Sequence, residues 1–179
     1  MTMKKIFCML LAIMMLLVLC ACEGQKNDAD QGGNKTTTTA NKPADDGKAI
    51  GFTLTYNGKQ IGLNMKMDDV KGLIGNPNKS NTSDSCAFNG TDTTHYYDSI
   101  RITTSDDRGY EWIYEITLTD DLVETEEGIC IGASAADVTA KYGASQGSSD
   151  ALLVYSKDGM KLMFVITDGV VTAIRYTML

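Results

Sequence analysis

The chain has one histidine, His95, and no His-x-x-His, Cys-x-x-Cys, phosphate-loop or dinucleotide pattern. Each absence removes a chemistry, because those spacings aim two ligands at one metal or several N–H groups at one phosphate. Cations are also in deficit: sixteen Lys and Arg face twenty-three Asp and Glu, a net charge of −7. Phosphate-backbone binding needs clustered Lys and Arg, so nucleic acid is not an expected partner. Adhesion to anionic lipid needs a polybasic patch, and none occurs. Residues 23–49 contain no Val, Ile, Leu, Met or aromatic residue.

What is present begins with Met1-Thr2-Met3-Lys4-Lys5, a short basic start. Ile6 to Cys22 follows without a charged or strongly polar side chain. That run of 17 residues falls short of the roughly 20 that span a bilayer core. A basic start, a short apolar run and small residues at its end read as a secretory signal over 1–21.

Leu19-Cys20-Ala21-Cys22 resembles the lipobox of bacterial lipoproteins. The resemblance implies cleavage between Ala21 and Cys22 and diacylation of the Cys22 sulfur. It also implies a cell-membrane location, lipid-anchored and facing the extracytoplasmic side. Cys20 is the rival acceptor, but Leu19 would then stand where the family has a small residue. The processed chain has 14 basic and 23 acidic side chains, so lipid rather than charge must supply attachment.

Residues 22–49 read as the lipidated cysteine and a flexible tether, because such a composition cannot bury enough apolar surface to offset ordering entropy. A coil of that length spans about 30 Å. Residues 50–179 are a comfortable size for one domain.

The pattern in that domain predicts an α+β fold, an antiparallel sheet with two short helices. Phe52, Leu54 and Tyr56 alternate, Asn57-Gly58 turns, and Ile61 and Leu63 alternate, which is a hairpin signal. Asp158-Gly159 and Asp168-Gly169 punctuate three apolar runs into a meander. Strands are also expected over 96–104 and 110–119. Met67, Val70, Leu73 and Ile74 share a helix face ended by Gly75, with Asn76-Pro77 beyond. Ser134 to Asp137 is a capping-box variant opening a second helix that ends at Gly143.

A shift of 68 residues lays Ile61 on Ile129, Leu63 on Ile131, Asp69 on Asp137, Val70 on Val138, Ile74 on Tyr142 and Gly75 on Gly143. Two tandem units follow, about 60–127 and 128–179, each reading strand, helix, then strands. The unit resembles the helix-then-sheet unit of small bacterial lipoproteins, including that of the outer-membrane barrel-assembly machinery and the tandem β-lactamase inhibitor protein. The second copy also resembles lipoproteins of Gram-positive gut bacteria. The resemblance implies short helices packed on an antiparallel sheet, and binding of other proteins rather than catalysis.

Candidate chemistry is sparse. Gly143 to Gly147 matches Gly-x-Ser-x-Gly around Ser145, but it follows a helix and has no His downstream. His95 is expected to be a half-exposed residue at a strand start. The acids Asp68-Asp69, Asp106-Asp107, Asp120-Asp121, Glu124, Glu126 and Glu127 lack calcium-loop spacing and suit turns and helix starts. Cys86 and Cys130 can form a disulfide in an exported chain, or Cys130 can be a small buried hydrophobe beside Ile129 and Ile131. The aromatics Tyr96, Tyr97, Tyr110, Trp112, Tyr114, Tyr155 and Tyr176 suit either sheet packing or a protein or glycan contact. No cofactor, metal or catalytic residue is expected. The leading expectation is a lipid-anchored, non-catalytic binding protein whose partner is a protein or cell-envelope component. The alternatives are a cell-envelope hydrolase using His95 or acids such as Asp98 and Glu111, and a small-ligand or cation-binding lipoprotein.

Overall fold

The computed structural model describes residues 46–147 and 149–179. The signal over 1–21, Ala21, Cys22 and the tether as far as residue 45 lie outside the described residues. Among the described residues no helix is long and apolar enough to cross a membrane.

The fold is α+β and dominated by antiparallel strands. Strands β1 (Ile50–Tyr56) and β2 (Lys59–Leu63) form a hairpin. Helix α1 (Met67–Ile74) follows, then β3 (Lys79–Asp84), β4 (Thr91–Tyr96), β5 (Ile100–Ser105) and β6 (Trp112–Leu118). Helix α2 (Ala135–Tyr142) leads into β7 (Leu152–Lys157), β8 (Met160–Thr167) and β9 (Val170–Met178). Seven strands make one sheet in the order β3-β4-β5-β6-β9-β8-β7.

The turn chemistry explains the hairpins. Asn57-Gly58, Asp158-Gly159 and Asp168-Gly169 all have positive φ at both residues, from 48° to 82°. Asn, Asp and Gly adopt that region at little cost, and such turns match the twist of the flanking strands. The helices are short and rely on burial: Met67 and Val70 of α1 and Val138 of α2 face the core. Ser134 caps α2, its Oγ accepting the Asp137 N–H at 3.1 Å while the Asp137 carboxylate accepts from the Ser134 N–H at 3.3 Å. Each helix ends on a glycine of positive φ, Gly75 and Gly143.

Alternation divides the large sheet into two faces. The row His95, Ile102, Ile116, Tyr176, Leu162 and Tyr155 runs in register across the inner face, all buried. The β1–β2 hairpin, both helices and the segment carrying Val123 and Ile129 contribute to the same core. The opposite face bears Tyr96, Arg101, Thr117, Arg175, Met163 and Val154 in the matching row, none of them buried.

Two expected strands differ. The run 96–104 is not one strand: it turns at 97–99, where the Tyr97 N–H meets the Ile100 carbonyl at 3.0 Å. β3 is additional, and its sequence Lys-Ser-Asn-Thr-Ser-Asp has no apolar residue to announce it. Residues 128–131 form no strand; Ile129 is instead held by Thr125 through two hydrogen bonds of 2.9 and 3.1 Å.

The internal repeat appears as a pseudo-two-fold. A two-fold rotation about an axis normal to the sheet, between β6 and β9, carries α1-β4-β5-β6 onto α2-β7-β8-β9 in order and direction. The backbone bonds repeat. Asn64 N–H donates to Ile113 O and Gly132 N–H to Val171 O, both at 2.8 Å; Met67 N–H donates to Glu111 O and Ala135 N–H to Gly169 O, both at 2.9 Å. Asn64 and Gly132 share a left-handed φ of 72° and 93°. On the helix side the shift is 68 residues; on the strand side it is 58 for β4 and β6 and 62 for β5. The first half takes up the difference between α1 and β4, and β3 lies in that longer connection.

The tether ends earlier than Ile50. Asn64, fully buried, donates from Nδ2 to Lys48 O at 2.9 Å and to Asp46 Oδ1 at 3.3 Å. Its Oδ1 accepts from Arg108 Nη1 at 2.8 Å. Residues 46–48 therefore belong to the folded part.

Candidate functional site

His95 is 2% exposed, not half-exposed as its strand-start position led us to expect. β4 points it inward, and β3 on one side and β5 on the other supply its partners by register. Its Nδ1 lies 2.9 Å from Ser80 Oγ. Its Nε2 lies 3.3 Å from Thr104 Oγ1 and 3.2 Å from Glu111 Oε2. Lys71 of α1 approaches the same Glu111 oxygen at 3.7 Å. Thr104 donates its own proton to Thr93 O at 3.2 Å, so its oxygen is the acceptor toward Nε2, while the Glu111 carboxylate lies beside the ring without a hydrogen bond. That assigns the imidazole proton to Nε2 and leaves Nδ1 to accept from Ser80.

Burial lowers the His95 pKa; Glu111 opposes this and Lys71 adds to it. The imidazole is therefore neutral near pH 7. The geometry lets His95 take a proton from Ser80 while Thr104 holds the other nitrogen and the Glu111 carboxylate lies beside it. Ser80 itself is exposed on the edge strand β3. In the second half, Leu153 occupies the place of His95 and Gly169 that of Glu111, so the cluster belongs to one half alone.

The other sequence candidates are scattered. Asp98 sits in the β4–β5 turn and accepts from Asn78 Nδ2 at 2.7 Å, apart from His95. Ser145 is a backbone tie: its Oγ accepts the N–H groups of Gly147 and Val154, both at 2.9 Å, and so covers the edge of β7. Asp106 accepts from Thr91 N and Oγ1, which holds its carboxyl below the usual range. Asp107 accepts from Trp112 Nε1 at 2.6 Å, and Asp68 pairs with Lys71 at 3.5 Å. Among the described residues no group of three His, Cys, Asp or Glu is placed to hold a metal.

Cys86 and Cys130 are free thiols. Cys86 lies on the β3–β4 loop, whose Phe88 packs on Trp112 and Tyr114 at the start of β6. Cys130 belongs to the segment that meets β9 at Val171. Val171 lies beyond the β9 residue paired with the far end of β6, so the sheet holds the two thiols apart.

The aromatics divide between both roles. Tyr155 and Tyr176 are core residues, and burial raises both hydroxyl pKa values. Trp112 is buried under the Arg108 guanidinium, 3.6 Å from the ring centre. Tyr142 bonds the Glu127 carboxylate and stacks beside Tyr155 and Phe164. Tyr96 joins the open face, with Lys79 5.8 Å from its ring centre.

That open face is the second candidate. A hollow of about 430 Å³ lies over it, bounded by Thr94, Tyr96, Arg101, Glu115, Arg175 and Ile131. A larger hollow of about 620 Å³ lies elsewhere, beside Asp98, Leu122, Glu124 and Glu126. Charge alternation along a strand gives no warning of the face, because which residues assemble there depends on register across six strands.

Comparison of the chain with protein-family models, with curated proteins and with solved structures finds no match.

Proposed function

We propose that the protein is a lipid-anchored binding module held at the extracytoplasmic side of a bacterial membrane through Cys22. One observation carries the binding part: one face of the seven-stranded sheet packs the core, and the other presents Tyr, Arg and Thr side chains around a hollow. Tyr and Arg are enriched in protein contact surfaces. The anchoring part rests on the lipobox-like Leu19-Cys20-Ala21-Cys22. In cells fed a labelled fatty acid, the wild-type chain takes up label and partitions into detergent. Cys22→Ser loses both, and a Ser variant that still partitions removes the anchoring reading.

A second reading has a specific observation behind it. Ser80 and His95 form a hydrogen-bonded nucleophile and base, and the Glu111 carboxylate lies 3.2 Å from the other ring nitrogen. A hydrolase also needs N–H donors aimed at a developing oxyanion. A fluorophosphonate probe tests it: labelling lost in both Ser80→Ala and His95→Gln supports a serine hydrolase, and an unlabelled wild-type chain dismisses it.

A further inference from the structure

We propose that the open face of the seven-stranded sheet docks an acidic surface of a partner protein, centred on Lys79, Tyr96, Arg101 and Arg175. This deepens the binding reading above and rests on it.

Charge is the first argument. From Ile50 onward the domain has ten basic and eighteen acidic side chains. Two central rows of the open face reverse that balance, while the next row, Ser83, Asp92, Ser105 and Trp112, adds one acid. One is Lys79, Tyr96, Arg101, Thr117, Arg175, Met163 and Val154; the other is Asn81, Thr94, Thr103, Glu115, Thr177, Lys161 and Ser156. They hold four cations and a single acid. That acid, Glu115, lies 3.7 Å from Arg175. Arg101 is exposed and makes no hydrogen bond or ion pair with another described residue. A cation patch on an otherwise acidic body attracts an anionic partner and repels wrong ones.

The apolar content narrows the partner to protein. Val154, Met163 and Val165 extend the same face toward β7, and Val165 is 41% exposed. Arg, Tyr and Met beside an apolar edge match the composition of a protein interface. A flat bilayer cannot reach into the hollow, and a second copy would bring the same four cations against these.

Pseudo-symmetry sharpens the point. Tyr96, Arg101 and Thr117 in the first half correspond to Val154, Met163 and Arg175 in the second. A duplicated scaffold supplies equal positions, yet the basic-aromatic and apolar ends lie on opposite sides of the axis.

The test uses the full-length lipidated chain in a bacterial host that makes its natural partners. The photo-crosslinker p-benzoylphenylalanine replaces Thr117 on the open face or, as control, Asp69 on α1. The expected result is a protein adduct from position 117, with none from position 69. Arg101→Glu with Lys79→Glu lowers its yield at least about fivefold, and Glu115→Lys does not. Circular dichroism melts confirm that the variants fold; if Arg101→Glu does not, Arg101→Gln gives the same readout. An adduct at 117 indifferent to these charge changes overturns the acidic-partner chemistry. A lipid or glycopolymer adduct at 117 overturns the protein partner. Adducts from position 69 alone overturn this face while binding stands. No adduct from either position, nor from a scan of exposed sites, removes the binding reading itself.

Discussion

The Tyr97 hydroxyl donates a 3.0 Å hydrogen bond to the carbonyl of Gly75, the residue that ends α1. Tyr155 does the same for Gly143 at 3.1 Å in the second half. A helix end leaves carbonyls without partners, and here a tyrosine, just past β4 in one copy and in β7 in the other, supplies a donor. Each of Tyr97→Phe and Tyr155→Phe should cost about 1 kcal/mol in urea unfolding, with an unchanged slope. Burial, with Tyr56 second, pushes the Tyr97 pKa up to about 12. The folded state thus favours the neutral phenol. This contribution is intact below the unfolded value near 10 and is lost as pH rises through 12.

His95 sets an acid-side dependence. Its folded pKa lies below its unfolded value of 6.5, so the unfolded chain binds the proton more readily. Stability is therefore complete above about pH 6.5 and falls as pH drops toward the folded value. The groups facing the ring are Glu111, Lys71, Ser80 and Thr104. His95→Leu, which copies Leu153, should flatten the change in urea midpoint between pH 7.5 and 5. If the slope survives, another group carries it. Asp106 and Asp137, both held low by hydrogen bonds, act only at lower pH.

Asn64 ties three segments together where the second half has Gly132. Asn64→Gly keeps the left-handed backbone and loses the bonds to Lys48 and Arg108, at an expected cost of about 2 kcal/mol. Asn64→Ala adds about 1 kcal/mol for an unfavourable φ. Denaturation midpoints of the two variants separate the side-chain part from the backbone part, and equal midpoints would refute the division.

The free thiols predict a labelling order. Maleimide should modify exposed Cys86 rapidly and half-buried Cys130 slowly in the folded chain. Intact mass should be the same with and without reductant. A difference of two hydrogens would establish a bridge that this fold keeps apart.

The parts of the fold written in short-range chemistry were legible. Asn57-Gly58 and the two Asp-Gly pairs mark turns because few other residues tolerate those angles. Ser134 and Asp137 mark a helix start, and Gly75 and Gly143 mark helix stops. β3 escaped because none of its six residues is apolar. The surroundings of His95 escaped for a different reason. Ser80, Thr104 and Glu111 reach it only through strand register, which no local pattern states. The repeat was visible where both halves keep the 68-residue spacing. Beyond the helices the spacing drops to 58 or 62, and only the paired backbone bonds reveal that the duplication continues.

A symmetric platform would accept a partner equally well in two orientations. The axis between β6 and β9 has unlike ends, Tyr96 and Arg101 toward β3 and Val154 and Met163 toward β7. Whatever lies across this sheet can lie only one way round. The duplication built a surface, and the divergence of its halves gave that surface a direction.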